Sequence, residues 1–182
     1  MCDITAQVTK EFWLDGKVLT CERYGCGHIN VTYLVVTESG RRYILQKINN
    51  SIFKDVPGLM RNIAAVTKYL RTLVSEPRGV LTLVPTRDGG DYLQHTDGSF
   101  WRVYDFVERS ICLQSPETPD DFYQSAVAFG AFQQQLKDFP AETLCEVIPN
   151  FHNTPDRFNK FLKGMLTVGA GGLSVAVLSV RN

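Results

Sequence analysis

The segment from residue 24 to residue 49, YGCGHINVTYLVVTESGRRYILQKIN, constrains the fold more than any other part of the 182-residue chain. It predicts a strand, a loop with two glycines, a second strand, a polar turn and a third strand ending at Lys47. A dinucleotide-binding fold would need a helix after the glycines, and a P-loop would need a GK[ST] ending; neither is present. A glycine loop that continues into a strand, with a lysine on the neighbouring strand, is typical of phosphates held beneath a β-hairpin.

The glycine loop offers three candidate phosphate contacts, Gly25, Gly27 and Asn30. The run resembles GxGxxG, but Asn30 stands where the last glycine would be. Glycine lets the backbone approach a phosphate closely, and the asparagine side chain adds a polar group. An ordinary tight hairpin without a ligand is the alternative interpretation.

The third strand predicts two sets of side chains on opposite faces: Tyr43, Leu45 and Lys47 on one, and Ile44, Gln46 and Ile48 on the other. We expect Ile44 and Ile48 to pack against the next helix. Leu45 would then contact the nucleotide base, and Lys47 would bring its ammonium group to the phosphates. A solvated lysine at a strand edge is the alternative.

The whole chain predicts an α+β fold, with an antiparallel five-stranded N-terminal sheet and one helix, followed by a partial helical lobe. Turn signals cut the first hundred residues into short strands, and apolar residues recur at helical spacing over residues 57–74. Further helix starts stand at Thr118 and Thr154. The predicted segments are a nucleotide-binding lobe, a connector, the start of a helical lobe and an anomalous apolar tail: residues 1–108, 109–116, 117–163 and 164–182.

The aromatic segment from residue 100 to residue 108 fits a strand that leads to a connection between two lobes. Backbone groups of Phe106, Val107 and Glu108 are candidate hydrogen-bond partners for an adenine edge. A buried aromatic strand without a ligand is the alternative.

Composition narrows the classes of partner. The chain has 19 basic and 19 acidic residues and no basic block, which argues against a nucleic-acid or membrane-surface partner. The five cysteines are scattered and form no CxxC pair, so free thiols in a reducing compartment are expected. The first residues show no apolar signal region. We therefore expect a cytoplasmic protein.

Four blocks, GHINVTYLVV, YILQKINNSIFKDVPGLMRNIAAVTKYL, FWRVYDF and FHNTPDRF, resemble the N-acetylhexosamine 1-kinases of the aminoglycoside phosphotransferase and choline kinase group. The resemblance runs from about residue 20 to about residue 163. It implies a protein-kinase-like fold and transfer of the ATP γ-phosphate, with Mg²⁺, to a small-molecule hydroxyl, here the anomeric hydroxyl of an N-acetylhexosamine. It also implies nucleotide contacts from Gly27, His28 and Asn30, from Lys47, and from the connection near Val107.

The residues that the resemblance implies for catalysis and metal binding are not recognisable. The group uses an H-x-D-x-x-x-x-N loop and a later D-x-D-like motif, which orient the acceptor and hold the metal. His95-Thr96-Asp97 is followed by Arg102 rather than asparagine and precedes a strand, and His152 is followed by Thr154 instead of an aspartate. We therefore assign no catalytic residue and no metal ligand.

Two further departures leave the function of this chain open. Residues 57–74 contain no acid to pair with Lys47; Asp55 and Glu76 flank them, and Arg61 lies within them. After Lys163 the sequence turns apolar, for which we favour a frameshift or an early stop over a membrane anchor or a natural short form. The hypotheses are a small-molecule kinase that is inactive as this chain alone, a non-catalytic nucleotide-binding or interaction module, and a non-functional fragment.

Overall fold

The computed structural model describes residues 3–25, 27–111, 113 and 115–169. Its helices and strands, in chain order, are α1 Asp3–Lys10, β1 Val18–Arg23, β2 Val31–Thr37, β3 Arg42–Ile48, α2 Val56–Leu73, β4 Leu83–Val84, β5 Leu93–Gln94, β6 Phe100–Asp105, α3 Pro119–Gln135 and α4 Thr154–Gly169. The predicted α+β class, with an antiparallel N-terminal sheet followed by helices, is confirmed.

The sheet has six strands, one more than the sequence predicts. Its order is β1-β2-β3-β6-β4, every pair is antiparallel, and β5 pairs with β6. The predicted turn between β2 and β3 is present, with Gly40 at a φ of 81°. β4 and β5 have two residues each, which is too short for the alternation that reveals a strand in a sequence.

The two faces of the sheet pack against different helices. One face forms a core with α1, in which Tyr43, Leu45 and Trp101 lie against Val8 and Phe12. On the other face, Ile48 packs with Val56 and Met60 of α2. The sequence predicts only one helix beside the sheet, and α1 is a second. Its eight residues are about two turns, so they carry little periodic signal.

Helix α2 begins as the sequence predicts. Asp55 caps it, because its carboxylate accepts a hydrogen bond from the N–H of Gly58 at 2.8 Å. Proline in the first turn has no N–H to leave unpaired. The helix buries Met60 and Leu70, and Met60 packs with Ile48 of the sheet.

Helix α3 begins with a capping box between Thr118 and Asp121, as the Thr-Pro-Asp-Asp start indicates. None of its residues is buried, and Phe122 and Phe129 are 66% and 64% exposed. The apolar side chains of α3 are therefore open to solvent.

The chain divides into two compact units, Met1–Val147 and Ile148–Asn182. In the described part of the second unit, α4 begins at the predicted Thr154. No helix among the described residues is long and apolar enough to cross a membrane. Most of the predicted anomalous tail, residues 170–182, lies outside the described residues, and the predicted lobe boundaries stay predictions.

Candidate functional site

The glycine loop joins β1 to β2 and is open on its outer side. Gly25 has a φ of 70°, and a side chain at Gly25 or Gly27 would meet no atom within 4 Å. His28 is exposed. The carboxamide oxygen of Asn30 accepts a hydrogen bond from the backbone N–H of Asn49 at 3.0 Å, which ties the loop to the end of β3. This oxygen thus has a structural partner, and the space beside Gly25 and Gly27 is open.

The structure places Leu45 and Lys47 on the α1 side of the sheet, away from α2. Leu45 has 0% exposure within the core that contains Val8 and Phe12. Because it is enclosed, it has no surface to offer to a nucleotide base, contrary to the sequence-based expectation. Lys47 is half-buried, with its Nζ 5.7 Å from the ring centroid of Trp101.

No carboxylate pairs with Lys47 within the described part of the chain. Of the two flanking acids, Asp55 caps α2 and lies 3.9 Å from the guanidinium of Arg61. Glu76 pairs with Arg78 at 3.3 Å. The positively charged group that the sequence singles out therefore lacks the acidic partner that positions a kinase lysine.

The opposite side of β2 and β3 is more open. Leu34, Val36, Ile44 and Gln46 are half-buried, whereas Val35 and Leu45, on the α1 side, are fully enclosed. A ligand that lies against these two strands can therefore contact this side, which we call the open face. It is defined by Thr32, Leu34, Val36, Ile44 and Gln46.

A polar row crosses three adjacent strands at one end of the open face. Thr32, Gln46 and Arg102 are direct cross-strand partners on β2, β3 and β6. The side-chain N–H of Gln46 donates to the hydroxyl of Thr32 at 3.0 Å. The guanidinium of Arg102 donates to the carboxamide oxygen of Gln46 through Nε at 3.1 Å and a terminal nitrogen at 2.9 Å.

The sequence does not predict this row. The alternation within β3 correctly separates Gln46 from Lys47, but no local pattern aligns a residue near position 46 with one near position 102. The available signal is a strand of the buried type, FWRVYDF, in which an arginine stands two residues after Phe100 and two before Tyr104. A positively charged residue in such a strand indicates a specific partner.

The connection after β6 is held mainly by contacts to β3. The N–H of Phe106 donates to the carbonyl of Arg42 at 3.1 Å, and the carbonyl of Val107 accepts from the hydroxyl of Ser110 at 2.6 Å. The guanidinium of Arg42 lies 4.2 Å from the ring centroid of Phe106 and pairs with both carboxylate oxygens of Glu108. This hydrogen-bonded pair lowers the pKa of Glu108 and raises that of Arg42. Of the backbone groups predicted to contact adenine, the N–H of Phe106 therefore already donates to the carbonyl of Arg42.

A cavity of about 640 Å³ lies beside this connection, between the β2–β3 turn and the end of α2. Four arginines line it, but each has protein partners: Arg41, Arg42, Arg71 and Arg78. The guanidinium of Arg71 donates to three backbone carbonyls and to the hydroxyl of Thr82. The other three pair with carboxylates. Carboxylates thus offset three of the four arginines, and Arg71 is held by neutral oxygen atoms.

The His-x-Asp triplet lies in the turn between β5 and β6. Asp97 accepts hydrogen bonds from the N–H and hydroxyl of Ser99, at 2.9 and 2.6 Å, and lies 3.0 Å from the imidazole of His95. These contacts, led by the Ser99 hydroxyl, lower the pKa of Asp97 well below its usual range. The carboxylate therefore serves to close the turn.

The described residues do not fit the Mg²⁺ that the resemblance implies. They contain no cluster of three or more histidine, cysteine, aspartate or glutamate side chains that could hold a metal ion.

Comparison with known proteins identifies the family to which the sequence is similar. Residues 20–162 match the APH model, described as the phosphotransferase enzyme family. One similar solved structure is an amicoumacin kinase, hAmiN, in complex with AMP-PNP, Ca²⁺ and Ami, with a TM-score of 0.52 and 16% identity over 76% of this chain. Another is an aminoglycoside phosphotransferase from Alicyclobacillus acidocaldarius, with a TM-score of 0.57 and 17% identity over 94% of this chain. This chain spans 41% and 45% of their respective lengths. These likenesses support the kinase-like fold.

Proposed function

The chain belongs to the phosphotransferase enzyme family, and from this premise we propose that it provides the nucleotide-binding part of an ATP-dependent kinase of small molecules. The base would lie near the connection after β6, and the phosphates would lie near the glycine loop. The open face of β2 and β3 would form the wall between these two ends.

The single observation that carries this proposal is that the glycine loop and the connection after β6 lie at opposite ends of the same strands, β2 and β3. The glycine loop enters β2 at Val31, which pairs with Lys47, while Phe106 is hydrogen-bonded to Arg42 at the other end of β3. Five residues of extended strand separate these ends, a span of roughly 17 Å. An ATP molecule laid along the strands fits this span, with its base and its phosphates at opposite ends.

For the acceptor, we propose the anomeric hydroxyl of an N-acetylhexosamine. The support is the sequence resemblance carried by the GHIN, YILQKIN and FHNTPDRF blocks. Binding of ATP and transfer of its phosphate to a sugar are separate steps. The open face would take part in the binding of ATP. The transfer step needs an acceptor-orienting aspartate and metal ligands, neither of which we assign to a described residue.

Thermal unfolding in the presence of ATP or adenosine tests the nucleotide proposal. A ligand that binds the folded chain raises its melting temperature in proportion to the logarithm of its concentration. We expect both compounds to stabilise the chain and ATP to do so more strongly. If neither compound changes the melting temperature, the chain has no nucleotide site. An assay of N-acetylglucosamine phosphorylation then separates a kinase from a non-catalytic nucleotide-binding module.

A further inference from the structure

Arg102 is a buried positive charge without a negative partner in the described part of the chain. It is 9% exposed, and its guanidinium contacts the neutral carboxamide of Gln46, the sulfur of Met60 at 3.8 Å and the ring of Tyr104 at 5.0 Å. Burial lowers the pKa of Arg102 and raises that of Tyr104 to about 12. Since arginine remains charged in proteins, this site holds a cation that no carboxylate neutralises.

A buried cation without a counter-charge costs free energy, because it has lost water and gained no opposite charge. The hydrogen bonds around Arg102 hold its guanidinium in one orientation, but they come from neutral groups and do not neutralise its charge. Gln46 accepts two of its hydrogen bonds and is itself fixed by Thr32, so the guanidinium has a defined orientation beside the open face. An anionic ligand would supply the missing charge, and the planar guanidinium matches the geometry of a phosphate.

The position of Arg102 also agrees with the geometry of kinases. In protein kinases the phosphate-binding lysine of β3 pairs with an acid on the following helix, so it faces that helix. Here the side of the sheet that faces α2 carries Gln46 and Arg102, and Lys47 lies on the other side. The contact from Arg102 to Met60 places the guanidinium directly against α2.

We propose that Arg102, oriented by Gln46, is the residue that binds the nucleotide phosphates. This inference rests on the proposed nucleotide site, and it identifies the positively charged side chain that binds the phosphates there. It explains why α2 needs no acidic residue: the cation is oriented from β3 by a carboxamide. Gln46 acts through Arg102 and is a positioning residue.

Calorimetric titration with ATP and with adenosine tests this inference, because only ATP carries phosphates. In Arg102→Met we expect the affinity for ATP to fall about 10- to 100-fold, the loss expected for a charge-assisted hydrogen-bonded contact. The affinity for adenosine should stay within about twofold of the parent. Lys68→Met removes an exposed positive charge from α2 and is the matched control for net charge; it should leave both affinities unchanged.

A second variant keeps the test decisive if Arg102→Met does not fold. Gln46→Glu preserves the shape and the oxygen that accepts from Arg102. It exchanges the N–H that donates to Thr32 for an oxygen that accepts from the Thr32 hydroxyl, and it gives Arg102 a carboxylate partner. ATP should therefore bind more weakly while adenosine binds as before. If Arg102→Met folds and binds ATP as tightly as the parent, the inference is overturned. If Arg102→Met does not fold, parent-like ATP affinity in Gln46→Glu overturns it. So does a loss of ATP affinity in Lys47→Ala alone, which assigns the phosphates to the other face. If the parent binds adenosine and ATP equally, the nucleotide site stands and the phosphate assignment fails; if it binds neither, both fail.

Discussion

Asn62 on α2 and Cys145, in the segment that follows α3, exchange two hydrogen bonds. The side-chain N–H of Asn62 donates to the carbonyl of Cys145 at 2.7 Å, and the N–H of Cys145 donates to the side-chain oxygen of Asn62 at 2.9 Å. The ring of Phe139 meets that of Tyr69 edge to face, with centroids 5.2 Å apart. These contacts hold the later segment onto the same helix that packs beside Arg102.

Replacing Asn62 should therefore destabilise the folded chain. In Asn62→Ala, two backbone groups of Cys145 lose their partner, at a cost of about 1–3 kcal/mol in the free energy of unfolding. Urea denaturation measures this change. Asn50→Ala is the control, because Asn50 is exposed and its side-chain hydrogen bond to the carbonyl of Gly98 is long, at 3.4 Å. Its effect should stay within about 0.5 kcal/mol, and equal losses in both variants would contradict the role of the Asn62 contact.

The two loop glycines should respond differently to alanine. Gly25 has a φ of 70°, a conformation that alanine adopts only with strain, so Gly25→Ala should lose about 1 kcal/mol of stability. Gly27 has no such φ and open space around it, so Gly27→Ala should unfold like the parent. If phosphates approach the loop backbone, Gly27→Ala should nevertheless bind ATP more weakly. Parent-like ATP affinity would place the phosphates away from this loop.

Acid should weaken the turn that Asp97 closes. The pKa of Asp97 is lower in the folded chain than its value of about 3.9 in an unfolded one. The carboxylate therefore stabilises the fold above that unfolded value, and this contribution is lost as the pH falls towards the lower folded value. We expect Asp97→Asn to lower the melting temperature at pH 7 and to differ less from the parent at pH 2.

Asp91→Asn is the control for this pH dependence. Asp91 is exposed and makes no hydrogen bond through its carboxylate within the residues that the structure describes. Its replacement should change the melting temperature little at either pH. A gap between Asp97→Asn and the parent that is as large at pH 2 as at pH 7 would show that the turn depends on something other than the ionised carboxylate.

The aromatic residues of α3 should promote self-association. Phe122 and Phe129 lie seven residues apart on one face of the helix and are 66% and 64% exposed. Exposed apolar patches of this kind favour contacts between molecules. Sedimentation velocity of Phe122→Ser/Phe129→Ser should show a larger monomer fraction than the parent. Leu73→Ser, at the end of α2, removes a comparably exposed apolar side chain and should leave the distribution unchanged.

The sequence predicts the parts of this fold that depend on local patterns. The turn at Gly40, the helical spacing of α2 and the start of α3 at Thr118 all follow from residues within a few positions of each other. Such signals also predict the antiparallel sheet, since its longer strands are hairpin neighbours or carry clear β-forming residues.

Which face of the sheet is covered does not follow from such patterns. Alternation along β3 shows that Leu45 and Lys47 share a face, but the helix that covers this face is α1, whose Val8 lies far away in sequence. The partnership of Gln46 with Arg102 spans 56 residues and depends on the pairing of β3 with β6. The proposed site therefore lies one residue away from Lys47 along β3, at Gln46, and neighbouring residues of a strand face opposite sides of the sheet.

The most direct measurement follows the methyl NMR resonances of the sheet during titration with ATP. Leu34 and Ile44 lie on the open face, whereas Val35 and Leu45 are enclosed on the α1 side. If the nucleotide binds against the open face, the Leu34 and Ile44 methyl resonances shift and saturate with ATP while those of Val35 and Leu45 stay nearly fixed. Saturating shifts confined to Val35 and Leu45, or no shifts in either pair, would contradict a nucleotide site on the face that carries Gln46 and Arg102.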